Sequence, residues 1–318
     1  MNEFETFLRS LGLRPRNIVP DEQVRRCPTD DKPRSWNGAY WLAYDGRFGW
    51  GQNWAVHQEV VEWRAGKDTA LPEFDPAELR RRRQEAQAAR RRSIAEAQEF
   101  YERCKPLMGG HPYLDGKGLD MSGCRGLRID DQGWLVVPML RDGRVQSIQR
   151  IAPDGSKRFW AGAPTSGALY TINRRSAPIT VLCEGLATGL AIFAAVPNTK
   201  IVVAFNAGNM PRVARGIPRR GLVCVAADND HETEERIGEN PGIVYAQKAA
   251  DILGCGVAVP DEMAGTDWLD LRNERIEART QEGDENIPGR ITQIRRAVDA
   301  EISRAVMRAV KMARGTGS

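Results

Sequence analysis

The 318-residue sequence has no CxxC pair, no long apolar run and no Walker-type GxxxxGK[ST] segment. Each absence excludes something. The six cysteines, Cys27, Cys104, Cys124, Cys183, Cys224 and Cys255, are scattered singly. They outline no disulfide framework, which fits a reducing, cytoplasmic setting. Cys183 and Cys224 fall inside apolar runs and read as small core residues. A membrane helix needs about 18 apolar residues in succession, and no run reaches that, so no membrane partner is expected. The stretch from Met1 to Arg9 also lacks the apolar centre of a secretory signal. Without a Walker segment, the chain supplies no phosphate loop for a nucleotide-driven motor.

Composition permits a sizeable core, with 41% hydrophobic residues, and the length suits two domains. Net charge is only +4, but it is unevenly placed. Arg80–Arg83 and Arg90–Arg92 crowd seven arginines into one segment with Glu85 as the only acid among them. Such asymmetry fits a polyanionic partner. A solvated helix face also accounts for it, because the alanines there favour helix regardless.

Hydrophobic periodicity organises the rest. Residues 2–13 read as a short helix. Residues 22–65 are rich in Trp, Tyr and Gly, with Asn-Gly and Asp-Gly turns that predict a small antiparallel sheet. Residues 75–105 predict one long polar helix, capped by Asp75 with Pro76 in its first turn. Two strand-like runs flank Arg141-Asp142-Gly143, a hairpin signal, and Pro138 predicts an edge strand or a bulge. From about residue 178, strands at 179–183, 200–205, 222–227 and 256–259 alternate with helices at 186–195, 209–215 and 241–253. That alternation implies an α/β fold with a mainly parallel sheet. Residues 288–313 predict a last helix before a Gly/Ser tail.

Acidic residues follow the strands. Glu184 comes after one run, Asp228 and Asp230 after another, and Asp267 and Asp270 lie further on. A carboxylate just past a buried parallel strand sits where open α/β sheets bind ligands. Several converging there suit a hard cation, Mg²⁺ or Mn²⁺. Helix capping is the plainer alternative, since carboxylates favour helix N-termini. It accounts well for a single acid such as Glu184, less well for three clusters at similar places.

Glu184-Gly185, Asp228-x-Asp230 and Gly265-Thr266-Asp267-Trp268-Leu269-Asp270 together resemble the Toprim domain, over roughly residues 178–275. DnaG-type primases, topoisomerases and certain nucleases share that fold. The resemblance implies that Glu184, Asp228 and Asp230 bind Mg²⁺ or Mn²⁺ near reacting phosphates, with Asp267 as an additional ligand. It assigns Asp270 no role.

The preceding segment resembles the first half of a primase core of phage and plasmid type. The residues that carry this are His111-Pro112-Tyr113-Leu114, Lys117-Gly118-Leu119 and Gln149-Arg150 through Lys157-Arg158-Phe159-Trp160. The resemblance implies that Arg150 and Lys157 line the active site, where cations hold phosphate. On the residues alone, Arg150, Lys157 and Arg158 equally suit a solvated hairpin edge. Lys117, Arg125, Arg128, Arg158, Arg81 and Arg82 are weaker candidates for nucleic-acid contact. Primases of this type often begin with a zinc ribbon; here Cys27 has only His57 nearby, short of the four ligands of a structural zinc site. The aromatic module stands in that place, and its rings suit either stacking on bases or a small core.

The resemblance therefore implies a DNA primase that makes short RNA primers on single-stranded DNA from NTPs. Helicase activity would come from a separate partner chain. Two alternatives stay open: a metal-dependent Toprim nuclease, and a non-catalytic nucleic-acid-binding replication accessory. A topoisomerase would need a further breakage domain that this length does not hold. The expected division is an aromatic β module at 1–70, a basic helical linker at 71–106, an α+β primase subdomain at 107–177, a Toprim domain at 178–285 and a C-terminal helix at 286–318.

Overall fold

A computed structural model of the chain describes residues 3–57, 59–67, 76–173, 177–218, 221–260, 265–281 and 289–312. The expected cap Asp75 and the Gly/Ser tail lie outside them. The chain divides into two compact units, residues 1–89 and 90–318.

The first unit opens with helix α1 (Glu3–Ser10). Strands β1 (Arg25–Cys27), β2 (Gly38–Leu42), β3 (Phe48–Asn53) and β4 (Val61–Arg64) follow and pair antiparallel in that order. Alternation puts Cys27, Tyr40, Leu42 and Trp63 on one sheet face, where Phe4 and Leu8 of α1 and Leu13 seal them into a small core. The approach is close. A Cβ on Gly49 or Gly51 would meet Phe4 or Leu8 at 2.6 and 2.8 Å.

Helix α2 spans Pro76–Arg103. Its arginines are less bare than the sequence suggests. Arg81 pairs with Glu78 and Glu85, Arg82 with Glu78, and Arg83 with Glu22.

In the second unit, β5 (Lys105–Pro106), α3 (Pro112–Gly116), β6 (Arg128–Ile129), β7 (Leu135–Arg141), β8 (Arg144–Ile151) and β9 (Lys157–Phe159) come first. The strands form an antiparallel sheet in chain order. The β7–β8 hairpin closes on Asp142 and Gly143, both at positive φ (51° and 75°), as a two-residue turn with strand-matching twist requires. Strand β7 lies inside the sheet, not at its edge, and its register shifts at Met139/Leu140, just past Pro138. The extra residue is Gln146 on β8, and β6 pairs with β7 only at Leu135 and Val136, so Pro138 stands opposite no β6 residue.

The remaining elements are β10 (Tyr170–Asn173), β11 (Ile179–Cys183), α4 (Leu186–Ala195), β12 (Thr199–Val203), α5 (Met210–Ala214), β13 (Leu222–Ala226), α6 (His231–Ile237), α7 (Pro241–Leu253), β14 (Gly256–Ala258), α8 (Trp268–Gln281) and α9 (Arg290–Met312). Their sheet has the order β10-β12-β11-β13-β14; β10 runs antiparallel and the others parallel. Val181, Cys183, Ile201, Val203, Cys224 and Ala226 face one core with α4, α8 and α9. Leu182, Val202, Val223 and Val225 face a second core with α5 and α7. Burial on both faces is why these strands read as unbroken apolar runs. Leu135, Val137, Met139 and Ile151 of the preceding sheet join the first core, so the two sheets of this unit share it. Among the described residues no helix is long and apolar enough to cross a membrane, and all six cysteines are free thiols.

Candidate active site

Each acid stands where a strand or loop reaches the same end of the parallel sheet. Glu184 directly follows β11. Its backbone carbonyl accepts from Phe205 N at 2.7 Å, which extends the β11–β12 pairing past the last strand residue. Phe205, buried, adopts φ 70°. A bulky residue in the left-handed region costs about 1–3 kcal/mol. The turn it makes brings the Ala207 N–H to the Glu184 carboxylate. Helix capping does not account for Glu184, because the N-cap of α4 is Gly185, without a side-chain bond.

Asp228 lies just past β13 and accepts from Thr188 Oγ1 of α4 at 3.3 Å. Asp230 accepts from Gly242 N at 3.1 Å, at the N-terminal turn of α7. Gly242 is needed there: a Cβ would meet the Asp228 carbonyl oxygen at 2.2 Å. Asn240 braces the loop, accepting from Asp230 N at 3.1 Å and donating to Asn229 Oδ1 at 2.8 Å. Asp267 does cap a helix. Its Oδ1 accepts from Leu269 N at 2.7 Å and Asp270 N at 2.9 Å at the start of α8. The loop is tied back to the acids by Asn229 N donating to Thr266 O at 2.7 Å, and by buried Trp268 Nε1 donating to Ala227 O at 3.0 Å. Asp270 lies beside Gly265 and adds repulsion to Asp267.

The electrostatics are those of an unneutralised cluster. Burial, then the Asp230 charge, pushes the Glu184 carboxyl up to about 7, against relief from the Ala207 N–H and Lys157. Burial and the charges of Glu184, Asp267 and Asp230 hold Asp228 well above the ordinary carboxylate range. Burial also raises Asp230 and Asp267. Among the described residues none of the four forms an ion pair. Nor is any group of three or more His, Cys, Asp or Glu among them arranged as a finished metal cage. The donor chemistry fits a hard divalent cation: oxygen ligands, half-buried, repelling one another and in no ion pair among the described residues.

Two lysines come to the acids from outside the parallel sheet. Lys157 pairs across from Ile151 on the core-facing side of its hairpin, close enough to lower the Glu184 pKa. Lys117 ends α3 and does the same for Asp267; its carbonyl accepts from Asn273 Nδ2 at 3.1 Å. Arg150 and Arg158 are elsewhere. They pair with each other on the opposite side of β8 and β9. There Arg150 bonds to Asp130 (Nε to Oδ2, 2.8 Å) and Gln132 (2.9 Å), and its guanidinium lies 4.7 Å from the Trp134 ring. It lines an open cleft of 390 Å³ with Phe100 and Arg103, which none of the four acids reaches. Arg158 sits 5.3 Å from the same Trp134 ring. Arg128 donates to the Glu102 and Cys104 carbonyls at 2.9 and 2.8 Å and so closes the end of α2. Arg125 is exposed. Sequence reasoning missed Thr188, Asn240, Gly242 and Phe205, which carry no motif. It named Tyr113 within a motif but gave it no role: the residue is buried, raised to about 12 by burial and the Asp267 charge, with no hydrogen-bond partner for its hydroxyl among the described residues.

Residues 179–277, which carry all four acids, match the family model described as the Toprim domain. This segment is a Toprim domain. The chain that contains it is similar to DNA primase TraC of Escherichia coli, 31% identical over 280 residues, with 80% of this chain and 26% of that protein covered. A second DNA primase TraC of Escherichia coli is 28% identical over 211 residues, covering 61% and 14%. The chain thus spans about a quarter or less of the curated relatives it matches. Among solved structures, the primase fragment of the bacteriophage T7 primase-helicase protein is similar with a TM-score of 0.39 and 14% identity, over 57% of this chain and 78% of that one. The DnaG catalytic core is similar with a TM-score of 0.38 and 12% identity, over 71% and 98%.

Proposed function

We propose that this chain is a DNA primase that joins ribonucleotides on a single-stranded DNA template. The observation that carries the reading is the meeting of Toprim acids with Lys157 and Lys117 from the preceding subdomain. Acids alone suit any divalent-metal chemistry. Lysines beside them add a seat for the phosphates of an incoming NTP. Glu184, Asp228 and Asp230 would hold Mg²⁺ or Mn²⁺, with Asp267 beside them. Such a cation supplies charge neutralisation for the triphosphate and the departing pyrophosphate. Lys157 holds the triphosphate against Glu184, and Lys117 does so on the Asp267 side. Arg150 braces the β7–β8 hairpin through Asp130 and stands outside the reacting centre. The curated relatives named DNA primase favour this reading over a nuclease. A helicase would act from another chain.

The test is incubation of the full chain with single-stranded DNA, labelled NTPs and Mg²⁺ or Mn²⁺. Short RNA products are expected from the wild type. Lys157→Ala should raise the KM for NTP by about tenfold, the loss of one charge-assisted phosphate contact. Arg150→Lys should leave that KM unchanged. Template degradation without RNA synthesis would replace the primase reading with the nuclease one.

A further inference from the structure

The sheet of the first unit has two unlike faces. One is sealed by α1. The other carries Trp41 of β2, Phe48 and Trp50 of β3, and Trp54 just beyond it, by the alternation that places Tyr40 and Leu42 inward. Trp41 and Trp50 are cross-strand partners, and the Trp41 and Phe48 rings meet edge-on with centroids 5.8 Å apart. None of the four rings belongs to a hydrophobic core; each is half-buried. An exposed arginine lies over two of them. The Arg26 guanidinium is 4.0 Å from the Trp54 ring and that of Arg64 is 5.4 Å from the Phe48 ring. Glu62 is the one acid of these strands on the same face.

We propose that this face binds single-stranded DNA, with bases stacked on the rings and phosphates drawn to Arg26 and Arg64. A module this small needs one sealed side for its core, and α1 provides it. Four large rings on the other side add nothing to that core and cost solubility. Adjacent strands set the rings in rows, with sites for successive unstacked bases. Each arginine already lies at a ring face and can exchange it for a phosphate, which frees the ring for a base. A protein interface enriches the same residue types, so salt dependence and preference for single-stranded DNA decide between the two. The single-stranded character of the ligand rests on the primase reading, but the residues are separate from the Toprim site.

The test uses the full chain without NTP or divalent metal. A labelled oligo-dT of about 12 nucleotides matches the site size of a small stacking module. The readouts are anisotropy and quenching of tryptophan fluorescence. Wild type and Asp228→Asn should bind alike, more weakly as salt rises. Trp41→Ala/Trp50→Ala should raise Kd about tenfold or more, since stacking contributes roughly 1–3 kcal/mol per base. Arg26→Ala/Arg64→Ala touches no core and should raise Kd severalfold with a shallower salt dependence. Unchanged binding in the arginine variant, or in a folded tryptophan variant, would overturn the proposal. So would duplex DNA competing equally, oligo-U binding more tightly, or a wild-type dimer that the tryptophan variant loses. Binding through this face by a protein that makes no primer would refute the primase reading and leave this one standing.

Discussion

Without divalent metal, the unit of residues 90–318 should melt at a lower temperature at pH 8 than at pH 5.5, by roughly 5–10 °C. Glu184 sets the sign. Its folded-state pKa of about 7 lies above its ordinary value of 4.5. Between those values the folded protein holds a proton that the unfolded chain has released. The stabilisation is therefore complete below about 4.5 and is lost as pH rises through 7. From Glu184 alone the full loss is about 3 kcal/mol, of which about 2 kcal/mol falls between pH 5.5 and pH 8. Asp228, Asp230 and Asp267 are raised too and act in the same direction. A cation competes with these protons, so metal affinity should rise over the same window. At pH 8, Mn²⁺ at a hundred times its Kd should restore about 2.7 kcal/mol. Scanning calorimetry at the two pH values, with and without Mn²⁺, checks this. A melting temperature that rises with pH in metal-free buffer would refute the electrostatic account of the site.

Asp228→Asn should reduce RNA synthesis by about a thousandfold, because charge stabilisation at such a centre contributes several kcal/mol to the transition state. It should at the same time raise the melting temperature of the metal-free protein at pH 8. The amide keeps the shape of the side chain and can still accept from Thr188 Oγ1, but it removes a buried charge facing Glu184, Asp267 and Asp230. Opposite signs in activity and stability mark a residue kept for chemistry at the expense of the fold. A purely structural acid would lose both together. Primer assays and thermal melts on the same preparation separate the two, and retained synthesis by a folded Asp228→Asn would remove Asp228 from the active site.

The sequence made the parallel sheet legible because its strands are buried on both faces, so β11 and β13 read as plain apolar runs ending in acids. The place of β10 was not legible: Tyr170–Asn173 fall in a stretch that reads as strands of the preceding subdomain, and nothing local shows that they pair with β12. Helix α8 was missed because Asp267-Trp268-Leu269-Asp270 was read for its acids, although Asp267 also caps it. The arginines differ for a geometric reason. Order and spacing along the hairpin treat Arg150 and Lys157 alike, but strand alternation sends their side chains to opposite sides of the sheet. Lys157 thus faces the acids and Arg150 faces Phe100 and Trp134. Lys117 reaches Asp267 only through tertiary packing, which no local pattern records. In the first unit the aromatic content was plain, but its division between a sealed and an open face depends on where α1 packs.

On the proposed reading, these carboxylates form one divalent-cation site. Its most direct test is calorimetric titration of Mn²⁺ at pH 8 into the wild type and into the Asp228→Asn/Asp230→Asn double variant. Binding by the wild type and its loss in the double variant is the predicted result. Equal affinity in the two proteins would contradict it.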